Sequence, residues 1–529
     1  MATYAEPRIV VTPGRTTARR ISWPWPLILV LGLQTVASLI TLHNTAFQDE
    51  ALYLYAGRQI LHQWNGGPAP LDNYASYFSG YPYLYPVVGG FPDIAGGLEL
   101  ARDFSLACML GVTGIVYWIT GKLFHRPAAI FASAAYASTG AVLFVGRLAT
   151  YDAMCLFLIA LAAAFSVHVS MSKRPWIALA IGPVLASAIL AKYAALLFVL
   201  PVLGLLAFLS FAFVVWWRAL TRLFLAFGSF AISLGIAYHT LNKEALQGIT
   251  STTTSRAVPL RAPRADLFTH VLQMGGAIYL IAFVGLLLLL RLHWRYGLLA
   301  GLLFASSWLA PAYHIYKQEP VSLDKHIAYG LFFVMPLAGY ALAWVSGCER
   351  QPFFSFTRGY WLAGVAAVIA VLAVGLTQSR TLYADWANTS GLSYGLAAQV
   401  RDGSGRILAE DIEVARYDAM DVTEPWQWGS LYYPYYVDRA GQHLDGNPAF
   451  AQAIKDRYYN WVELSFNYLP QQAYFVAGQM AATRNYDLVA VIPFANSYGK
   501  GHFYLWRSAP AAGHGDFKSL AQLKTNSWP

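Results

Sequence analysis

The sequence predicts an all-α polytopic membrane domain of about 11 transmembrane helices, followed by an extracytoplasmic α/β or α+β domain. Three observations predict it. Only 12% of the 529 residues are charged while 57% are hydrophobic, and the mean hydropathy is +0.43; a soluble protein carries roughly twice that share of charge. Apolar runs of about 20 residues, the length that spans a bilayer, recur between short polar loops. After residue 378 the runs stop and the charge balance changes from +11 over 1–378 to −2 over 379–529. This excludes a disordered chain and an ordinary cytosolic enzyme. Three cysteines in or beside apolar runs exclude a disulfide scaffold. Basic residues concentrated between apolar runs are a topology signal, so the net charge of +9 implies a membrane and no nucleic-acid partner.

The elements follow in order. Arg15, Arg19 and Arg20 precede a first run from about 23 to 43, which has no small-residue cleavage site and is expected to remain as an uncleaved span. A polar loop, about 44–98, follows it outside. Further runs cover about 100–121, 127–146, 153–171, 175–191, 194–216, 223–241, 270–290, 297–313, 327–346 and 359–377. Every second loop carries paired Lys or Arg (Lys122 and Arg126, Lys173 and Arg174, Arg218 and Arg222, Arg291 and Arg295, Arg350 and Arg358), which places the N-terminus in the cytoplasm and the tail outside. The domains are therefore 1–378 in the membrane and 379–529 outside it. In the tail, Gly405–Ala409, Asp487–Pro493 and Gly501–Arg507 read as strands, and Lys455–Tyr468 and Gln471–Thr483 as helices. No Gly-rich phosphate loop, CxxC pair or HExxH motif is present.

The chemistry-bearing residues collect at the outer ends of spans. Asp49 and Glu50 follow the first span directly. Adjacent carboxylates beside a bilayer are costly unless solvated or used, although they also suit the start of a helix over Ala51–Trp64. That helix aligns Tyr53, Gly57 and Ile60 on one stripe. Tyr83 lies in the run Tyr81–Pro86, which equally resembles an interfacial aromatic belt. Arg102 opens the second span. Arg147 and Asp152 flank an outer turn and, five residues apart, can pair with each other. Lys192, Lys325 and His326 stand at outer span ends against the positive-inside trend, where a cation suits a lipid phosphate, though each alone also reads as a snorkelling anchor.

These stretches resemble the GT-C membrane glycosyltransferases, in particular the aminoarabinose transferases of lipid A and bacterial relatives of the protein O-mannosyltransferases. The resemblance is carried by Asp49-Glu50-Ala51-Leu52-Tyr53, the Pro82–Pro86 run, Arg102, Gly121-Lys122-Leu123-Phe124, Arg147 to Asp152, Lys192 and Lys325-His326. It covers much of 45–200 and adds only topology over 201–310 and in the tail. It implies an extracytoplasmic active site and a donor sugar on a polyprenyl phosphate or diphosphate. The acceptor would be a lipid, protein or glycan, with Asp49 as the acid or base that contacts it, Glu50 beside it and Asp152 as the second acid. Elementary chemistry agrees. Glycosyl transfer needs a base for the acceptor, whereas a phosphate leaving group needs cations and no acid. Asp49, Glu50 and Asp152 are thus the candidate catalytic residues. Tyr53, Tyr83, Arg102, Arg147, Lys192, Lys325 and His326 are the candidate substrate-binding residues. The sequence implies no cofactor with certainty; a divalent metal between carboxylates is compatible with it. A transporter or lipid flippase is the alternative, disfavoured by the lack of two similar halves and by the folded tail.

Overall fold

The computed structural model describes residues 25–74, 78, 84–240, 247, 249–250, 261–348, 361–400 and 405–509. Within these, the membrane part is helical throughout, as hydrocarbon requires of a backbone that must satisfy its own polar groups. It runs α1 (Trp25–Thr41), α2 (Gln48–Trp64), α3 (Leu84–Leu123), α4 (Arg126–Ser138), α5 (Gly140–Arg147), α6 (Tyr151–Met171), a 3-10 turn leading into α7 (Ile181–Ala191), α8 (Leu196–Phe213), α9 (Trp216–Thr240), α10 (Arg264–Leu292), α11 (Trp294–Ser307), α12 (Leu309–Lys317), α13 (Leu323–Val345) and α14 (Trp361–Tyr383).

Among the described residues, eight helical segments are long and apolar enough to cross a membrane, and nine if α4 and α5, bent by 65°, form one broken span. Two shorter apolar helices, Trp25–Thr41 and Pro175–Ala191, stand where the sequence predicts the first and fifth spans. The chain is an integral membrane protein by these segments, and the expected count of 11 is reached only if both short helices also cross. Exposed Leu200, Phe224, Leu280 and Ile369 form the apolar outer surface. The axis of the bundle is α13, whose apolar stretch is 94% buried. It packs closely on α4 at Gly339, where a Cβ would meet the carbonyl of Ala128 at 2.4 Å. Its N-terminal end carries Lys325, His326 and Tyr329.

The described part of 44–98 is more ordered than its sequence reading as a polar loop. It holds all of α2 and the first part of α3. Leu84–Ala95 is apolar enough to be helical, and α3 breaks only at Gly96 and Gly97. Gly97 has φ 68° and ψ −165°, a conformation essentially reserved for glycine. This break turns the chain from the outer layer into the span that begins beside Arg102.

The tail adds α15 (Ser390–Gln399), α16 (Ile412–Asp418), α17 (Gly446–Lys455) and α18 (Pro470–Thr483). The strands are β1 (Ile407–Ala409), β2 (Trp428–Ser430), β3 (Tyr435–Val437), β4 (His443–Asp445), β5 (Trp461–Leu464), β6 (Tyr486–Asn496) and β7 (Gly499–Ser508). Five strands form a mixed sheet in the order β2-β1-β5-β7-β6, and β3 and β4 form a separate pair. Only β1 is parallel to its neighbours β2 and β5; β7 pairs antiparallel with β5 and β6. One helix expectation is corrected. The segment Lys455–Tyr468 is not a helix: α17 ends at Lys455, Arg457 takes a left-handed φ of 54°, and Trp461–Leu464 becomes a fully buried sheet strand.

The α/β domain is fastened to the segment after α1. Asn44 donates to the carbonyls of Tyr383 and Trp386 at 3.0 and 2.9 Å, and Trp386 Nε1 donates to the carbonyl of Thr45 at 3.0 Å. Val414 and Tyr417 of α16 pack in one apolar cluster with Ala51, Leu54 and Tyr55 of α2. Arg416 pairs with Asp72 at 2.6 Å. The loop bearing Asp49 and the α/β domain therefore lie at the same end of the bundle.

Candidate active site

The adjacent carboxylates Asp49 and Glu50 diverge. Glu50, at the third position of α2, accepts the Phe47 N–H at 2.8 Å, which closes the helix N-terminus. The same buried carboxylate accepts Arg102 Nε at 2.9 Å, Arg102 Nη2 at 2.8 Å and the Ala149 N–H at 2.8 Å. Arg102 also donates to the carbonyls of Asn44 and Thr45 and to Glu99, each at 3.0 Å. Every N–H of its guanidinium is used, and the residue is 1% exposed. Arg102 and Glu50 are thus the pin that holds the 44–50 loop, α3 and the Ala149 turn together. In this arrangement Arg102 has no N–H left over for a substrate phosphate, and both oxygens of Glu50 already accept two N–H groups each.

Arg147 is committed less completely, since its buried Nε has no partner among the described residues. It bonds Asp103, and it pairs with Glu99 at 2.5 Å. It does not pair with Asp152.

Asp49 and Asp152 instead each hold a lysine from a distant helix. Asp49 Oδ2 accepts Lys325 Nζ at 2.6 Å, and its side chain keeps 31% of its surface exposed. Asp152, fully buried at the start of α6, accepts Lys192 Nζ at 2.5 Å and the Tyr329 hydroxyl at 3.3 Å on Oδ1. Its backbone carbonyl takes the same hydroxyl at 3.1 Å, and Oδ2 accepts the Thr150 hydroxyl at 3.3 Å. Lys325 is within electrostatic reach of Asp152 as well as Asp49. The two ammonium groups also stand over aromatic faces, Lys192 at 4.7 Å from the Tyr151 ring and Lys325 at 4.9 Å from the Phe47 ring. Tyr53 packs on Tyr151 at 4.7 Å and on Phe78 at 5.5 Å, which places it beside the ring under Lys192. Tyr83 lies outside the described residues.

His326 belongs to a chain of imidazoles. His314 Nδ1 lies 2.6 Å from the carbonyl of Glu319, to which it must donate, and its Nε2 lies 2.7 Å from His326 Nδ1. With both rings neutral, His326 Nδ1–H donates to His314. His326 also stands edge-on to Tyr329 at 5.6 Å, the residue that bonds Asp152. Sequence reasoning missed Tyr151, Tyr329 and His314. Tyr151 adjoins Asp152 and was findable by adjacency; Tyr329 is one helical turn beyond Lys325; His314 left no local signal.

Among the described residues no three His, Cys, Asp or Glu side chains stand together, and Asp49 and Asp152 each face an ammonium group. What the arrangement offers is a pair of desolvated cations beside a partly exposed carboxylate, at the end of an apolar bundle that bears the α/β domain.

Comparison with known proteins shows the fold. Residues 93–238 match the model of the dolichyl-phosphate-mannose-protein mannosyltransferase family. No curated protein sequence matches the chain. Among solved structures, ArnT from Cupriavidus metallidurans in the apo state is similar with a TM-score of 0.57 at 14% identity, over 90% of this chain and 97% of that one. The same protein bound to undecaprenyl phosphate gives 0.54 at 14% identity over 90% and 97%. The oligosaccharyltransferase AglB from Archaeoglobus fulgidus, in complex with an inhibitory peptide and a dolichol phosphate, gives 0.53 at 12% identity over 90% and 74%. The chain is a polytopic membrane protein of the GT-C glycosyltransferase fold.

Proposed function

We propose that this protein is a membrane glycosyltransferase that moves a sugar from a polyprenyl-phosphate donor to an acceptor outside the cytoplasm. The single observation that carries the reading is the pair of carboxylate–lysine contacts, Asp49–Lys325 at 2.6 Å and Asp152–Lys192 at 2.5 Å, convergent on one outer mouth. The similarity to structures described with undecaprenyl phosphate and dolichol phosphate supports the donor class.

The mechanism follows from charge. Lys192 and Lys325 are held in place without a substrate, so a lipid phosphate entering from the bilayer meets cations that need little reorganisation. As the sugar leaves the phosphate, negative charge grows on the phosphate oxygens, and both ammonium groups stabilise it more than they stabilise the bound donor. A phosphate that takes Lys325 loosens its hold on Asp49. The freed carboxylate then accepts the proton of the acceptor hydroxyl or amine as the new glycosidic bond forms at the anomeric carbon and the carbon–phosphate-oxygen bond breaks. Asp152 keeps Lys192 oriented and remains buried.

The test is mass spectrometry of lipid-linked sugars in cells lacking the gene. One polyprenyl-linked sugar is expected to accumulate, and the wild-type gene but not Asp49→Asn is expected to clear it. No accumulation, or clearance by Asp49→Asn, refutes the reading.

A further inference from the structure

The cleft between α2 and the segment after α16 has a volume of about 520 Å³, in the range of small-ligand sites, and opens at the outer end of the molecule. It lies beside the catalytic mouth. Gln48, Leu52, Tyr55 and Gln59 form one stripe along α2, and the last two line the cleft. At 1.5 Å per residue, Tyr55 is about 10 Å along the helix from Gln48, the neighbour of Asp49. Gln48 in turn bonds Glu413 of α16 at 3.3 Å, where the α/β domain closes over the helix start.

The cleft walls are fixed before any ligand arrives. Arg58 is bonded to the Asp93 side chain and, at 2.7 Å, to its carbonyl, and the Tyr417 hydroxyl donates to Asp93 at 2.6 Å. The lining mixes an indole, Trp426, 44% exposed, with the amide of Gln59 and the carboxylates of Asp421 and Glu424. Among the described residues these two carboxylates enter no ion pair of 4.0 Å or less. Of the basic groups at the cleft, Arg58 is held by Asp93 and Arg406 lies against the Trp426 ring, which leaves His62 and the two carboxylates facing a ligand, a poor set for a phosphate. The Trp426 ring, with the Arg406 guanidinium 5.4 Å from its centroid, and the acceptors and amide beside it suit a ligand with C–H faces and many hydroxyl donors.

We propose that this cleft is a remote acceptor subsite that binds a sugar ring of a glycan or glycolipid, leaving the reacting group about 10 Å away at Asp49. The inference rests on the glycosyl-transfer reading, and it specifies a carbohydrate where that reading leaves the acceptor open. Binding distant from the reacting atoms contributes to rate by positioning the acceptor.

The test is saturation-transfer NMR on the purified full chain with maltotriose, mannotriose and chitotriose, and with a Ser/Thr-rich nonapeptide. At least one trisaccharide is expected to receive saturation at its ring protons. Trp426→Ala and Asp421→Asn, both at exposed positions, are each expected to weaken that binding about 5–10-fold, the loss of one contact. Asp49→Asn is expected to leave it unchanged, so a failure of the catalytic assignment is read separately in transfer activity. Displacement of the trisaccharide by vesicles containing a galactosyl diacylglycerol identifies a lipid-borne sugar as the source, and its absence a free glycan; both support the proposal. Saturation of none of the trisaccharides, of the peptide alone, or of a trisaccharide equally in wild type and both cleft variants overturns it.

Discussion

At the scale of single residues, side chains of one charge type play two roles here. Arg102 spends all five of its donors on protein partners and Arg147 holds Glu99 and Asp103, whereas Lys192 and Lys325 each hold one carboxylate beside an aromatic face. Asp49→Asn preserves size and removes the base. Transfer is expected to fall at least about 100-fold, the lower end of what a positioned base contributes, with normal yield of folded protein; undiminished turnover in a steady-state assay sinks the assignment. Lys192→Ala and Lys325→Ala are expected to weaken the donor more than the acceptor. One charge-assisted contact is worth about 1.5–3 kcal/mol, so donor saturation should shift roughly 10–150-fold. If acceptor saturation shifts and donor saturation does not, the lysines serve another end. Arg102→Ala belongs to a different class. It strands buried Glu50, and breaking such a pair costs about 3–5 kcal/mol, so loss of monodisperse protein in gel filtration is expected. A stable Arg102→Ala protein with a pure donor-binding defect would restore Arg102 to the phosphate.

At the scale of elements, the α/β domain carries a proton-linked feature at the junction of β1 and β5. Glu410 accepts four backbone N–H groups, from Ser465, Phe466, Tyr468 and Leu469, at 2.7 to 2.9 Å. Glu463, its buried neighbour across the parallel pair, accepts the Glu410 N–H at 3.0 Å. Burial, with the charges of Glu410 and Asp411 adding to it, pushes the Glu463 carboxyl well above the usual range, and burial does the same to Asp411. The folded domain therefore keeps protons that the unfolded chain releases. Its stability is full below the unfolded carboxylate value, about 4.3 for Glu, and falls as pH rises towards the raised folded values. Thermal unfolding of the full chain should show this decline above about pH 4.3. Glu463→Gln, which cannot ionise, should flatten it and raise the neutral-pH midpoint by on the order of 2–4 °C, with a residual slope from Asp411. A midpoint equally pH-dependent in wild type and Glu463→Gln excludes Glu463 as the linked group.

At the scale of the whole molecule, charge beside a bilayer was the legible signal. Asp49, Asp152, Lys192 and Lys325 stand out in sequence because each interrupts the end of an apolar run, and the structure brings all four to one mouth. Their pairing was not legible, because Lys325 is 276 residues from Asp49, and only packing of α13 along the bundle axis joins them. Arg102 looked like the lysines because a sequence does not display the carbonyls of Asn44 and Thr45 that consume its donors. The segment Lys455–Tyr468 misled because its apolar residues fit a helix until Arg457 breaks the chain and the sheet claims Trp461–Leu464. Sidedness remains a deduction from alternating basic loops, and it has a direct test. Tyr394 is 80% exposed on the α/β domain and Trp64 is 66% exposed at the end of α2, while Lys173 is exposed in the basic loop after α6. Cys108, Cys155 and Cys348 are buried, so the native background is low. In intact cells, a membrane-impermeant maleimide is expected to label Tyr394→Cys and Trp64→Cys, and to label Lys173→Cys only after permeabilisation. Trp64 and Tyr394 sit on elements tied together through Asn44, Thr45 and Trp386, so their agreement tests the docking without assuming a direction. Lys173 supplies the direction. Labelling of Lys173→Cys alone in intact cells inverts the topology, and opposite behaviour of Trp64→Cys and Tyr394→Cys separates the domain from the mouth it is proposed to cover.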